Sequence, residues 1–262
     1  DVTVPFACES GSRGWGLASP DSYYDVRFLY VHRLPWYLTV LPQRDVIELP
    51  ISGDLDVNGW ELRKALGLMR ESNPTLFEWL RSPIVYREAP EAMAPFAALA
   101  QAIFSRVRAW HHYRSMAKKN FREHLQADVV RFKKYLYVLR PLLAARWVAQ
   151  HAEGVPPMRF AALAQDTLDP VHDAALLAEL DALLEVKMRA GEAAASPRWP
   201  QVHAFIEAEL GASPAAPGVS APVGDMAALD AFLLETVRRC DVPADGRAGA
   251  GADPTSEKGA RA

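Results

Sequence analysis

The chain has 262 residues and a mass of 28.9 kDa, room for one large domain or two modest ones. Half of its residues are hydrophobic and 23% are charged, with a mean hydropathy of -0.07, so fibrous, collagenous and membrane-embedded classes are excluded. A formal charge of -3 excludes a globally basic nucleic-acid binder but leaves local basic patches open.

Cys8 and Cys240 lie far apart, which gives neither a disulfide framework nor a zinc-ligand spacing. No run reaches the roughly 18 apolar residues of a membrane span, and no charged-then-apolar leader opens the chain. A reducing cytoplasm is the expected location, with no membrane partner. The sequence begins at Asp1 and runs directly into a strand-like segment, from which a missing leading helix is expected.

Residues 1 to 95 mix β-branched and aromatic runs with turn residues, the pattern of short strands alternating with helices. Val2 to Cys8 is the first predicted strand, followed by the glycine-rich turn from Ser10 to Gly16. After the turn Ser19-Pro20-Asp21-Ser22 comes a strong strand, Tyr23 to Val31, then weaker ones at Val46 to Leu49 and Asp54 to Val57. Asn58, with Glu61 three residues on, predicts a capping box opening a helix that carries Leu62, Ala65, Leu66 and Met69 on one face. Asn73-Pro74 predicts the start of a second helix, through Phe77, Trp79 and Leu80.

Residues 96 to 210 read as nearly all helical: Ala97 to Ile103, a basic aromatic stretch ending near Trp147, then Phe160 to Leu163, Asp173 to Ala190 and Trp199 to Leu210. Residues 211 to 262 divide into a linker at Gly211 to Gly218, an isolated amphipathic helix at Met226 to Arg239, and a tail expected to be disordered.

The segment from Gly11 to Arg27 carries the chemistry. A Gly-Ser pair after a strand lets backbone N–H groups and a hydroxyl approach a phosphate chain. A carboxylate on the next strand can hold a Mg²⁺ ion that neutralises the same phosphates. Strand parity places Tyr23, Asp25 and Arg27 on one face and Tyr24, Val26 and Phe28 on the other. Burying the second set points Asp25 and Arg27 into a cleft. Asp56, between Leu55 and Val57, is the candidate second carboxylate, with Asp54 its rival. Arg13 and Arg27 beside the motif are phosphate-binding candidates, weighed against ordinary solvated charges. Trp15, Trp60 and Trp79 read as core.

Phe6 to Gly16, continued by Tyr24 to Phe28, resembles the signature of DNA polymerase β-type nucleotidyltransferases. More narrowly it resembles the RNA-repair-associated polymerase-β-like family (RlaP, YcgL-like), with further similarity at Asp56 to Lys64, Ser72 to Pro74, Glu78 to Tyr86 and Lys133 to Pro141. The resemblance implies an α+β fold: a small mixed-sheet catalytic core over residues 1–95, then a helical domain over 96–210. It also implies nucleotidyl transfer from an NTP with two Mg²⁺ (or Mn²⁺) ions. Gly11 and Ser12 would bind the triphosphate, and Asp25 and Asp56 would be the catalytic, metal-binding pair. The family's association with RNA repair suggests an RNA end as acceptor.

One position departs from the family pattern Ser-Asp-Tyr-Asp, because this chain reads Ser22-Tyr23-Tyr24-Asp25. A phenol with a pKa of about 10 is neutral at pH 7 and a poor Mg²⁺ ligand. Losing one carboxylate of a two-ion site is expected to cost on the order of a hundredfold in rate. Asp21 shares the parity but sits in the turn.

The stretch from Arg106 to Arg146 carries many cations against only Glu123 and Asp128. Arg114, Lys118 and Arg122 recur every four residues, one helical stripe with Lys119 beside it. Facing the cleft, this stripe would contact NTP phosphates or an RNA backbone. The leading expectation is therefore a metal-dependent nucleotidyltransferase acting on a hydroxyl acceptor. Its rivals are a nucleotide- or RNA-binding protein without turnover, and an antitoxin-like enzyme whose acceptor is a protein.

Overall fold

The computed structural model describes residues 1–190, 194–212, 216–218 and 225–241. Strand β1 (Val2–Glu9) ends at Ser10, which opens a single helical turn, α1 (Gly11–Gly14). The chain returns as β2 (Tyr24–His32), antiparallel to β1. A second short helix, α2 (Leu34–Tyr37), leads to β3 (Val46–Glu48) and then β4 (Leu55–Glu61). β4 pairs antiparallel with β3 and parallel with β2.

β4 runs past the expected end at Val57, because Asn58, Gly59 and Trp60 add rungs to the parallel ladder opposite Arg27, Phe28 and Leu29. Gly59 makes that pairing possible: a Cβ there would come within 2.3 Å of the Phe28 ring. Asn58 is therefore a strand residue and not the helix cap expected of it. The cap is Glu61, whose Oε2 accepts the N–H groups of Arg63 and Lys64 at 2.8 and 3.3 Å. The helix it opens, α3 (Leu62–Arg70), buries Leu62, Ala65, Leu66 and Met69, the four residues that the sequence spacing put on one face. Asn73 caps α4 (Pro74–Leu80), its Oδ1 accepting from Thr75 and Leu76 at 3.0 and 3.3 Å. Strand β5 (Val85–Glu88) then joins the far edge of β1, completing the order β3-β4-β2-β1-β5. Its four residues are all exposed, so no period-2 pattern marks it in the sequence.

The helices α5 (Pro90–Ile103) and α6 (Arg106–His124) follow, then strand β6 (Val129–Arg131) and helix α7 (Phe132–Gln150). Next come α8 (Phe160–Thr167), α9 (Ala174–Arg189), strand β7 (Ala195–Pro197), α10 (Pro200–Gly211) and α11 (Met226–Asp241). β6 and β7 form a two-stranded ribbon inside the stretch expected to be helical, each too short to leave a periodic signal. Helix α7 is apolar and buried on nearly every side, which makes it the axis of the helical layer. The expected isolated helix is instead docked. Leu229 and Val237 of α11 are buried in the main core, Phe232 packs 5.6 Å from Phe96, and Asp241 accepts the Leu34 N–H at 3.1 Å. Residues 213–215 of the expected linker, and the tail beyond Asp241, lie outside the described residues.

The two faces of β2 bury different things. Leu29 and Val31 join the large core beneath the helices, while Phe28 and Tyr30 form a smaller cluster with Ala7 on the opposite face. Asp25 and Arg27 are in phase with Leu29 and Val31, so they point toward the helical layer. Both faces are thus buried in mid-strand, and it is helical cover, more than burial of the Phe28 face, that creates the cleft. Among the described residues no helix is long and apolar enough to cross a membrane.

Candidate active site

Parallel pairing sets Asp25 opposite Asp56 and Arg27 opposite Asn58. Residues two apart on one strand share a face, so Arg27 can reach both carboxylates. Its Nη2 donates to Asp25 Oδ1 at 2.9 Å and to Asp56 Oδ2 at 2.8 Å, and its Nη1 donates to the Val26 and Asp56 carbonyls at 3.1 and 3.0 Å. All three side chains are at least two-thirds buried, so this cluster is screened less than a surface ion pair.

Glu9, fully buried, braces the same strand. Its Oε1 accepts the Asp25 N–H at 2.8 Å, its Oε2 accepts from the Tyr86 hydroxyl, and its carbonyl accepts from Ser82 Oγ at 2.6 Å. Burial pushes the Asp25 carboxyl above its usual range. The Arg27 guanidinium opposes that rise, and the negative charges of Asp56 and Glu9 add to it.

The Gly-Ser turn lies directly on this cluster. The Ser10 N–H donates to the Asp25 carbonyl at 2.8 Å, and Gly11 adopts φ +54°. A Cβ on Gly11 would fall 2.0 Å from Asp25 Oδ2, so glycine is required both by conformation and by contact. The turn closes with Leu17 N–H donating to the Ser12 carbonyl at 2.8 Å.

A cavity of about 430 Å³ opens above this floor. Its sheet side is lined by Ser10, Gly11, Ser12, Tyr23, Asp25 and Arg27, with Trp15 at the end of the turn. The helical side contributes Thr75, Glu78 and Trp79 from α4, Met116 and Asn120 from α6, and Lys187 from α9. Helix α7 adds Lys133, Leu136, Tyr137, Arg140 and Pro141. Trp79 is core and stacks on Trp60 at 3.8 Å, as expected of both. Trp15 also packs against the core and, like Trp79, forms cavity wall, edge-on to Tyr137 at 6.2 Å and with the Arg140 guanidinium 5.1 Å from its ring centre.

Of the residues singled out from sequence, Gly11, Ser12, Asp25 and Arg27 converge on the cavity. Asp56 sits behind Arg27 and outside the described lining, and Asp54 lies in the turn before β4. Arg13 also stands outside that lining: it donates to the Tyr23 and Ser22 carbonyls at 3.1 and 2.9 Å and stacks over Tyr24 at 3.8 Å. The basic stripe does not face the cleft. Met116 and Asn120 show which side of α6 does, and Arg114, Lys118 and Arg122 stand two residues out of phase with them, on the opposite side. Arg114 donates to the Ala212 carbonyl at 2.9 Å, while Lys118, Lys119 and Arg122 are exposed.

The cations that do line the cavity are Arg27, Lys133, Arg140 and Lys187. Arg140 is buried against Glu78, and Lys187, also buried, donates to the Leu17 carbonyl. No local motif marks Lys187, which returns to the turn 170 residues downstream of Leu17. Glu78, Lys133 and Arg140 fall within the segments Glu78 to Tyr86 and Lys133 to Pro141 that carry the family resemblance, without being singled out there.

The chain matches the family model RlaP, described as an RNA repair pathway DNA polymerase beta family, over residues 1–235. It is 44% identical over 238 residues to the uncharacterized protein YcgL of Bacillus subtilis (strain 168), which covers 90% of each chain. The mixed five-stranded sheet with its helical cover agrees with that match, and the chain belongs to the RNA repair pathway DNA polymerase β family.

Proposed function

We propose that the chain binds a nucleoside triphosphate in the cavity and transfers its nucleoside monophosphate to a hydroxyl acceptor. The observation that carries this reading is the contact between the Gly11–Ser12 turn and Asp25 at the cavity floor, a phosphate cradle built against a carboxylate. The cavity volume suits a small-molecule ligand. Four cationic residues line it against two acidic ones, Asp25 and Glu78, which suits a polyphosphate. On this reading residues 1–95 are the catalytic core, 96–210 supply the cover, and the protein works in the reducing cytoplasm.

The donor set suits one Mg²⁺ or Mn²⁺ ion better than two. Arg27 Nη2 already stands as a cation between Asp25 and Asp56, while among the described residues no group of three His, Cys, Asp or Glu side chains could hold a metal. Mg²⁺ is commonly held by one or two carboxylates together with substrate phosphates, and Asp25 and Asp56 would be the carboxylates that hold it here. When bound, the ion would neutralise phosphate charge. The protein's own part is positioning: Gly11 and Ser12 hold the phosphates, and Lys133 and Lys187 offset their charge. The acceptor oxygen bonds to the α-phosphorus, the bond from that phosphorus to the bridging oxygen breaks, and pyrophosphate leaves. The hydroxyl proton leaves to solvent, because Asp25 would be engaged by the ion.

Tyr23 favours a second reading, nucleotide binding without turnover. Its side chain lines the cavity where the resemblance places a carboxylate. A transfer assay with each of four α-labelled NTPs, Mg²⁺ or Mn²⁺ and a mixed RNA pool separates the two, run beside Tyr23→Asp and Asp25→Ala. Transfer by the natural chain that Asp25→Ala abolishes supports the enzyme. Silence rescued by Tyr23→Asp supports the binding protein, and label on a protein instead of RNA changes the acceptor class. Silence from all three overturns nucleotidyl transfer to RNA.

A further inference from the structure

We propose that Tyr24, Tyr86, Leu55 and Arg13 form a docking platform for single-stranded RNA on the sheet face turned away from the helices, beside the cavity mouth. Its link to catalysis rests on the cavity being the transfer site, since the platform would then present the acceptor strand.

Ladder partners share a face, so Tyr24 stands with Leu55, and Glu9 stands with Val26 on that same face. The Tyr86 hydroxyl reaches Glu9, which brings its ring to this side as well. Further along the strands the face is closed over Ala7, Phe28 and Tyr30. At the strand ends nearest the Gly11 turn it stays open, with Tyr24 at 45%, Tyr86 at 48% and Leu55 at 42% exposure. Such a cluster of large exposed side chains marks an interaction surface.

The chemistry favours nucleobases. Arg13, tied to the Tyr23 and Ser22 carbonyls, lays its guanidinium 3.8 Å over one face of the Tyr24 ring. That cation–π contact fixes the ring and leaves its remaining surface for stacking, with a positive charge alongside for a phosphate. Tyr86 is likewise fixed through its hydroxyl. One strand, β1, separates the two tyrosine-bearing strands, so they lie about 10 Å apart, a distance that lets neighbouring unstacked bases each take a ring. A duplex keeps its base faces stacked and cannot use them, which selects a single strand. Tyr23, next in sequence but on the cavity face, bridges from the platform to the Asp25 floor.

The test is fluorescence anisotropy of a labelled ten-nucleotide RNA of mixed sequence with the full chain in EDTA, alongside calorimetry with ATP. Tyr24→Ala and Tyr24→Leu are expected to weaken RNA binding roughly five- to hundredfold, the loss of one base–aromatic stack. Tyr24→Phe should stay within about twofold, because it keeps the ring. ATP affinity should be unchanged in all three variants, which also reports folding. If ATP fails to bind the natural chain while RNA behaves as expected, the platform stands and the cavity reading falls. Equal RNA affinity in Tyr24→Ala and the natural chain overturns the platform, as does binding of the duplex as tightly as the single strand. RNA binding absent from the natural chain, with a dimer that Tyr24→Ala disrupts, reassigns the surface to a protein contact and overturns it too.

Discussion

Asp25 and Asp56 stand directly opposite each other on parallel strands, and both carboxylates end on one nitrogen of Arg27, at 2.9 and 2.8 Å. The strand register forces two like charges together, and the i, i+2 parity of Arg27 makes the arrangement tolerable. Arg27→Met should therefore destabilise the protein by up to about 3 kcal/mol at pH 7, the lower end for breaking a buried pair. Without the guanidinium the folded state holds protons that the unfolded chain releases, so its stability falls as pH rises through the carboxylate range. Urea unfolding at pH 7 and pH 4 should show a smaller gap between variant and natural chain at the lower pH. An equal gap at both would mean that the carboxylates do not repel.

Burial holds the Asp25 pKa above 3.8 in the folded protein. A raised folded pKa favours the protonated form, so the stability this group contributes is complete below 3.8 and is lost as pH rises through the folded value. Asp25→Asn mimics the protonated form. It should melt above the natural chain at pH 7 and level with it near pH 3.5, while abolishing transfer. A site kept charged at a cost in stability is a common trade between stability and function. A lower melting temperature at pH 7 would show that the Arg27 contact outweighs burial.

Gly11 carries both a left-handed backbone and a contact that excludes a Cβ. Gly11→Ala should cost about 1–2 kcal/mol from the backbone alone, and more from pushing Asp25 aside. Adding Asp25→Gly should recover the contact part and leave the backbone part, so the two changes are not additive. Additive losses in urea unfolding would place the whole effect in the backbone.

Cys8 offers a pH test away from the carboxylates. Burial, with Glu9 nearby, pushes its thiol up to about 12, so it stays protonated and hidden at pH 8. A thiol reagent at pH 8 should modify the folded protein only at Cys240, and Cys240→Ser should leave no reactive thiol until denaturant is added. Modification of Cys8 in the folded Cys240→Ser protein would contradict its burial.

The sequence carried local signals well where a side chain acts on its own backbone neighbours. Asn73 with Pro74 announced a cap, and Leu62, Ala65, Leu66 and Met69 announced a helix face, because both depend on spacing alone. The turn at Gly11 and Ser12 after the first strand was legible from its glycines, and the strand face that carries Asp25 and Arg27 from the two-residue period. Asn58 misled because a capping-box spacing and a strand ladder compete for the same residues, and the parallel pairing with β2 prevailed. The direction of the Arg114 stripe was not legible: a helix shows its stripe in sequence but not which side meets the cavity. Glu78 and Arg140 lie in segments that carry the family resemblance but were not singled out as site residues, and Lys187 reaches the site only through tertiary packing, over a separation no local pattern spans.

Glu78 and Arg140 supply the last test, because they are buried together at the cavity wall. Arg140 also donates to the Met158 carbonyl at 3.3 Å and faces the Trp15 ring, while its Nε has no partner among the described residues. Glu78→Ala leaves that cation without its counter-charge, a loss of about 3–5 kcal/mol. Glu78→Ala with Arg140→Met removes both charges and should recover most of it, since apolar replacement of a buried pair is often neutral or better. ATP affinity should not recover with it if Arg140 serves the phosphates. Calorimetry on the double variant separates these outcomes. Restored stability with weakened ATP binding assigns Arg140 to the ligand, and restoration of both makes the pair a packing element of the helical wall.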